Sequence, residues 1–243
     1  MTSQSGIMKR TTSLLLVIFG LQLGLSTLIP QHTAIAQEGQ TLSKKITLSQ
    51  LENSIFEETN KIRANPQSYI PILEAWKARN IPGTNNFKQE DGSILRTNEG
   101  VKAVDEAIEY LKSQEPVSQL EISVGLTMAA KDYAIDQKEN VSDGHSGNDG
   151  SDPQSRMSRY GVISGLSSEN ISFGSGYKSN NGRDVVMGLI IDDGVPDRGH
   201  RTNIFNPDLR KTGVACGEQL QWRNICVMDY TDGQYRDNPE LFK

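Results

Sequence analysis

Two glycine–histidine pairs hold the groups in this chain best suited to chemistry, Gly144-His145 and Gly199-His200. Neutral imidazole is the commonest metal ligand and an able proton carrier. Both histidines lie in loop-like sequence rather than on an apolar helical stripe, so neither reads as a packed core histidine. Between them runs Ser168-Glu169-Asn170, where Glu169 is the single charged residue from Gly165 to Ser175. On a strand Asn170 points opposite to Glu169, so only one of the two is expected to face a cleft. The stretch from Asp192 to Asn206 crowds Asp192, Asp193, Asp197, Arg198 and Arg201 around His200. Asp192 and Asp193 fall at the C-terminal end of a helix, where the macrodipole disfavours negative charge. A cation is therefore expected beside them, from Arg198, Arg201 or a bound metal. Asp197 and Arg198 read as a local ion pair, and Asn203 as a side chain bonding to backbone. The three motifs are expected to meet in space and line one polar cleft.

Other chemistries lack their residues. There is no Gly-x-Ser-x-Gly elbow, His-Glu-x-x-His helix, P-loop or dinucleotide fingerprint. The loop Gly147-Asn148-Asp149-Gly150-Ser151 is acidic, but it lacks the glutamate at position twelve of a calcium loop, so turn and cap roles are expected of it. The two cysteines, Cys216 and Cys226, each sit in an apolar, strand-like run. A hairpin centred near Gln221 would set them opposite each other, where one disulfide can close. Such a bond leaves no thiol nucleophile, and two thiols without a third ligand make a poor zinc site.

The elements that must position these groups follow from periodicity. A helix is expected from Leu48 or Ser49, with Leu51, Ile55, Thr59 and Ile62 on one face, stopped by Asn65-Pro66. Pro66 can open a second helix carrying Tyr69, Ile70, Leu73 and Trp76. Residues 84–96 read as an irregular loop, and Glu99 to Lys112 as a third helix. Leu126, Ala129, Ala130, Tyr133 and Ala134 mark a buried helix that fades near Asn140. Asp152-Pro153 reads as the cap and first turn of a short helix. Val162 to Phe173 is extended, Tyr177 to Arg183 a surface loop, and Asp184 the cap of a helix ended by Gly194. A short helix begins near His200 and stops at Asn206-Pro207. Thr212–Cys216 and Ile225–Tyr230 read as closing strands, which makes the class α+β.

The N-terminus reads as an address rather than as structure. Lys9 and Arg10 precede an apolar run from Leu14 to Leu25, and Ala34-Ile35-Ala36 supplies a cleavage signal, so residues 1–36 are expected to be a secretory signal peptide. The run is too short to span a bilayer, and no later segment is apolar enough to be transmembrane. Residues 37–47 read as a flexible leader, 48–232 as one domain and 233–243 as a tail. The formal net charge is −5, and about −7 once Lys9 and Arg10 are removed. That excludes nucleic acid and an anionic membrane surface as main partners, since both need a basic face.

The boxes His145-Ser-Gly-Asn-Asp-Gly-Ser, Ser168-Glu169-Asn170-Ile171 and Gly199-His200-Arg201-Thr202-Asn203-Ile204, with Gly213-Val214 after them, resemble the CAP superfamily. That superfamily takes in cysteine-rich secretory proteins, insect venom antigens and plant pathogenesis-related proteins. The Gly-His-Arg-x-Asn-Ile box is similar to its bacterial, SCP-like branch, which uses it in place of the eukaryotic Gly-His-Tyr box. The likeness runs from about residue 50 to residue 230 and is strongest from Leu126. Residues 64–120 match poorly and read as a helical insertion. The resemblance implies an α-β-α sandwich with a short antiparallel sheet between helices. It also implies a central cleft lined by His145, His200, Glu169 and a second acid. Leu189 stands where many members carry a tryptophan, so Asp192 falls at that acid, with Asp193 as the alternative. Asp193, Arg201 and Asn203 would support the cleft.

Some members hold zinc or a similar divalent ion through the two histidines, others bind sterols or fatty acids, and many act through partner proteins. The function implied is a secreted binding or interaction module, periplasmic or extracellular. His145 and His200 would hold a divalent metal in it, and an unidentified protein or small apolar ligand would be its partner. One alternative is a zinc-dependent hydrolase with Glu169 as general base to a metal-activated water. Another is a lipid or sterol binding protein.

Overall fold

Ser49 opens the first helix by a reciprocal capping box: its hydroxyl accepts from the Glu52 N–H, and the Glu52 carboxylate accepts from the Ser49 N–H. Helix α1, Gln50–Ala64, buries Leu51, Ile55, Thr59 and Ile62, the expected face, together with Arg63. Pro66–Tyr69 forms a 3-10 turn that runs into α2, Ile70–Lys77. The computed structural model describes residues 47–139, 144–174 and 181–242, and all of these fall in one compact unit. The expected signal peptide, nearly all of the expected leader, and Tyr177 lie outside the described residues.

Residues 84–96 depart from the expected loop. They form a small hairpin, β1 (Asn86–Lys88) with β2 (Ile94–Arg96), which buries Phe87 flat against Trp76 at 5.2 Å between ring centres. A three-residue strand with a single buried side chain is too short to leave an alternation in sequence. Helix α3, Val101–Ser113, follows and buries Ala103, Val104, Ala107, Ile108 and Leu111. A two-residue strand, β3 (Glu121–Ile122), leads into α4, Val124–Asp136.

After α4 come α5 (Pro153–Ser158), capped by Asp152 as expected, then β4 (Gly161–Val162) and β5 (Ser167–Phe173). Helix α6, Gly182–Ile191, starts earlier than expected. Asn181, not Asp184, is its cap, accepting from the Arg183 N–H. The cause is tertiary. A Cβ on Gly182 would lie 2.2 Å from the Ile55 nitrogen, so α1 and α6 touch backbone to backbone there. The helix also ends before Gly194, because Asp192 takes the left-handed conformation at φ 57°. Helix α7, Gly199–Phe205, is followed by the long strands β6 (Leu209–Gln219) and β7 (Arg223–Asp232), then β8 (Arg236–Asp237).

The main sheet has the order β3-β6-β7-β5. It is antiparallel except for β3, which lies parallel to β6, so the expected antiparallel sheet carries one parallel edge. Alternation along the strands sorts the two faces. Val214, Met228 and Tyr230 pack with α1 and α6, whereas Ala215, Ile171 and Val227 pack with α4. The result is the expected α-β-α sandwich. A Cβ on Gly213 would meet the Leu126–Thr127 backbone at 2.1 Å, so glycine is what lets α4 lie this close to β6. Cys216 faces Cys226 across β6 and β7 and the two are bonded, as the hairpin reading required. No helix among the described residues is long and apolar enough to cross a membrane.

Candidate functional site

Strand β5 lies at the edge of the main sheet, and residues of all three motifs meet on it. Glu169 and Asn170 point to opposite faces, as alternation demands, yet both are buried and each serves a different histidine segment. Glu169 faces the α4 layer. Its Oε1 lies 2.8 Å from His145 Nδ1, and its Oε2 accepts from Arg156 NH2 at 2.8 Å. Asn170 faces the other layer, where its amide donates to the His200 carbonyl at 3.1 Å. The Asn203 amide donates to Asn170 Oδ1 at 2.8 Å and to the Glu169 carbonyl at 3.4 Å, which fastens α7 to β5. Asn203 therefore bonds a side chain first and backbone second.

His200 has its own carboxylate. Asp192 Oδ1 lies 2.6 Å from His200 Nδ1, while Oδ2 accepts the backbone N–H groups of His200 at 3.0 Å and Arg201 at 3.3 Å. Asp192 thus ends α6 and caps α7. The favourable start of one helix dipole offsets the unfavourable end of the other. Asp193 does something else: its two oxygens accept from the Asn98 and Glu99 N–H groups, just before α3.

The two histidine sites share one design. A neutral imidazole that donates its Nδ1 proton to such a carboxylate presents Nε2 as its lone-pair nitrogen. The carboxylate side chains are buried, at 1 % exposure each, while the rings are 49 % exposed for His145 and 23 % for His200. Buried anions thereby hold solvent-facing rings. An open pocket of about 320 Å³ lies over the first site, lined by His145, Asp152, Pro153, Gln154, Ser167, Ser168 and Glu169. His200 and Asp192 are not among its lining residues. Among the described residues no three His, Cys, Asp or Glu side chains converge as a metal cage. Each oriented imidazole could give a cation one nitrogen donor, with the remaining positions left to water or ligand atoms.

The supporting arginines were only partly foreseen. Arg156, absent from the sequence reading, is buried. It donates to the His145 and Ser151 carbonyls and to Glu169, with its guanidinium 4.2 Å from the Tyr133 ring centre. Tyr133 in turn donates to the Gly144 carbonyl at 2.5 Å. Nothing in the composition of α5 separates this inward arginine from an ordinary surface one. Arg201 donates to the Ile190 and Ile191 carbonyls at the end of α6 and to Glu106.

Arg198 does not pair with Asp197, as its neighbourhood suggested. It binds Glu99 through two nitrogens and also Glu106, both from the α3 region, while Asp197 accepts from the Gly199 N–H. Hydrogen bonds from Arg198, then from the Gly194 N–H, pull the Glu99 carboxyl down to about 2. The acidic loop 147–151 is spent on structure: Asp149 accepts from Ser151 and pairs with Arg159, and Asp136 accepts from the Asn148 N–H.

A profile of the Cysteine-rich secretory protein family, CAP, matches residues 56–230. Comparison with curated proteins finds no match. An outer surface protein of Borrelia burgdorferi is similar at 21% identity, over 57% of this chain and 91% of that one, with a TM-score of 0.39. An extracellular SCP-domain protein from Bacillus anthracis is 16% identical over 55% of this chain and 38% of that one, with a TM-score of 0.37. BmVAL-1 is 14% identical over 78% and 80%, with a TM-score of 0.39. At these identities and scores the solved structures say nothing about the site.

Proposed function

The chain belongs to the cysteine-rich secretory protein, or CAP, family, and on that footing we propose that it is a secreted binding module whose cleft holds a divalent cation, such as zinc, through Nε2 of His145 and His200. The carrying observation is the buried carboxylate on Nδ1 of each ring, Glu169 on His145 and Asp192 on His200. Such partners fix the tautomer and raise the basicity of a metal-binding imidazole. A cation bound there would supply Lewis acidity toward a polar ligand group. The residues of the chain bind and orient. Secretion is supported by the family's description and by the apolar run behind Lys9 and Arg10. The side chains of His145, Asp152, Gln154, Ser167, Ser168 and Glu169 along the pocket could hydrogen-bond a polar group of a partner.

The hydrolase alternative asks Glu169 to act as general base. Both of its oxygens are already engaged, one by His145 and the other by Arg156, which suits an orienting role better. Zinc titrated calorimetrically into the protein is expected to bind at neutral pH and more weakly on acidification, because a protonated ring offers no lone pair. His145→Ala and His200→Ala are each expected to abolish binding. Glu169→Gln should weaken it about 10–100-fold, the usual size for a partner that orients a ligand. Zinc held as tightly by the double histidine variant as by the native chain would overturn this reading.

A further inference from the structure

Behind Glu169 stands a carboxyl group that neither the cleft nor the fold accounts for. Asp229 of β7 is the direct cross-strand partner of Glu169 on β5, and opposite residues on one face of such a pair sit roughly 4.5–5.5 Å apart at Cβ. Asp229 is fully buried. Neither of its oxygens receives a hydrogen bond from the described donors. On this face Val227 precedes it and the buried Thr231 follows it on the strand, with Ile171 beside Glu169. The charged groups that face it are Glu169 from β5 and Arg156 from α5, and Tyr235 lies within electrostatic reach. Arg156 already donates to Glu169, so one guanidinium stands against two carboxyls.

We propose that Asp229 holds a proton at neutral pH and donates it to Glu169, so that it acts as a positioning residue keeping Glu169 turned onto His145 Nδ1. Facing buried carboxyls disfavour each other's ionisation, and the one without a cation or an N–H donor keeps the proton. Burial and then the charge of Glu169 push Asp229 well above the ordinary carboxyl value, while Arg156 opposes them. Glu169 then collects three donors, the His145 ring N–H, the Arg156 guanidinium and the Asp229 hydroxyl, and its orientation is fixed from three sides. With Asp229 neutral, the one negative charge on Glu169 is balanced by Arg156. The inference rests on the reading of His145 as a cleft imidazole oriented by Glu169. It does not require metal.

Infrared spectroscopy of the metal-free protein with isotope-labelled aspartate tests it. A protonated-carboxyl C=O band is expected at neutral pH in the native chain and is expected to vanish in Asp229→Asn. No such band, or a band that survives the substitution, overturns the proposal. Nitrogen NMR of the His145 ring reads the positioning role. The amide introduced by Asp229→Asn would still offer an N–H to Glu169, so this variant is expected to keep the His145 Nδ1–H signal of the native chain. Asp229→Leu removes the donor, and the ring proton is expected to exchange about tenfold faster, the order of one lost hydrogen bond. Native-like exchange in a folded Asp229→Leu protein would show that Asp229 positions nothing. If that variant does not fold, the band still decides the protonation of Asp229, and loss of the His145 Nδ1–H signal in Asp229→Asn would overturn the positioning role. Because no zinc is present, a failure here is distinct from a failure of the cleft to bind metal.

Discussion

At the scale of single residues, the site is a set of buried charges holding exposed rings, and Arg156 is the residue on which the His145 half depends. Its guanidinium serves three acceptors: two loop carbonyls and the Glu169 carboxylate. Replacing it by methionine would keep the length of the side chain and leave a buried carboxylate without its cation. Arg156→Met is expected to destabilise the protein by about 3–5 kcal/mol in urea titrations, the cost of stranding one partner of a buried pair. Arg156→Lys should recover only part of that, because a point-like ammonium cannot reproduce a planar fork that serves three acceptors. A lysine variant as stable as the native chain would mean that charge alone, not the fork, matters. Arg63 shows the same logic elsewhere: it is buried and donates to the Ser118, Ile204, Asn206 and Leu209 carbonyls. Neither arginine announces itself in the sequence, since a buried and an exposed arginine are the same letter.

At the scale of elements, β5 and the loop between α6 and α7 share the work. The edge position of β5 lets one strand present Glu169 to one layer and Asn170 to the other. Of the two, only Glu169 lines the pocket beside His145, while Asn170 turns to the other layer and fastens α7. The α6–α7 loop is held by α3 through Arg198, Glu99, Glu106 and Asp193. This clamp has a pH signature. The Glu99 value in the folded chain, about 2, lies below the ordinary 4.5, and Glu106 is also lowered, chiefly by Arg198. Depressed carboxyl values contribute stability that is present above the ordinary value and is lost as pH falls from there through about 2. Hydrogen exchange followed over that window should show α3 and residues 192–198 losing protection before β6 and β7. Simultaneous loss across all of these elements would refute a separate clamp. The half-exposed setting of Glu106 keeps the expected effect local and small.

At the scale of the whole molecule, the sheet is the rigid reference and the disulfide closes its central hairpin. Cys216 and Cys226 join β6 to β7 with a separation of 10 residues in sequence. Closing a loop that short is expected to add about 2–3 kcal/mol on the chain-entropy account. Guanidinium titrations with and without reductant should differ by that amount, with the folded baselines unchanged, because both strands are held by their ladder as well. Reduction that left the midpoint where it was would show that the bond adds nothing. The sandwich also explains why histidines fifty-five positions apart can serve one region: each comes from a segment packed on a different face, and both segments reach the same strand edge.

Candidate residues for a site could be nominated from sequence because glycine–histidine loops and an isolated glutamate are local signals. So could α1 with its start at Leu48 or Ser49, α5 with its Asp-Pro start, and the cysteine hairpin, since each depends on spacing within one element. The partners of those residues could not. Whether Asp192 or Asp193 meets His200 depends on a left-handed turn at Asp192 that ends α6 where the histidine loop can fold back. The start of α6 depends on a backbone contact at Gly182 with a helix far away in sequence. The pairing of Arg198 with α3 rather than with neighbouring Asp197, and the facing of Asp229 with Glu169, depend on elements brought together from across the chain. Local chemistry determines which groups can be ligands, caps or bridges. Only tertiary packing decides which carboxylate ends beside which cation, because burial makes an unpaired charge too costly to leave where the sequence happens to place it.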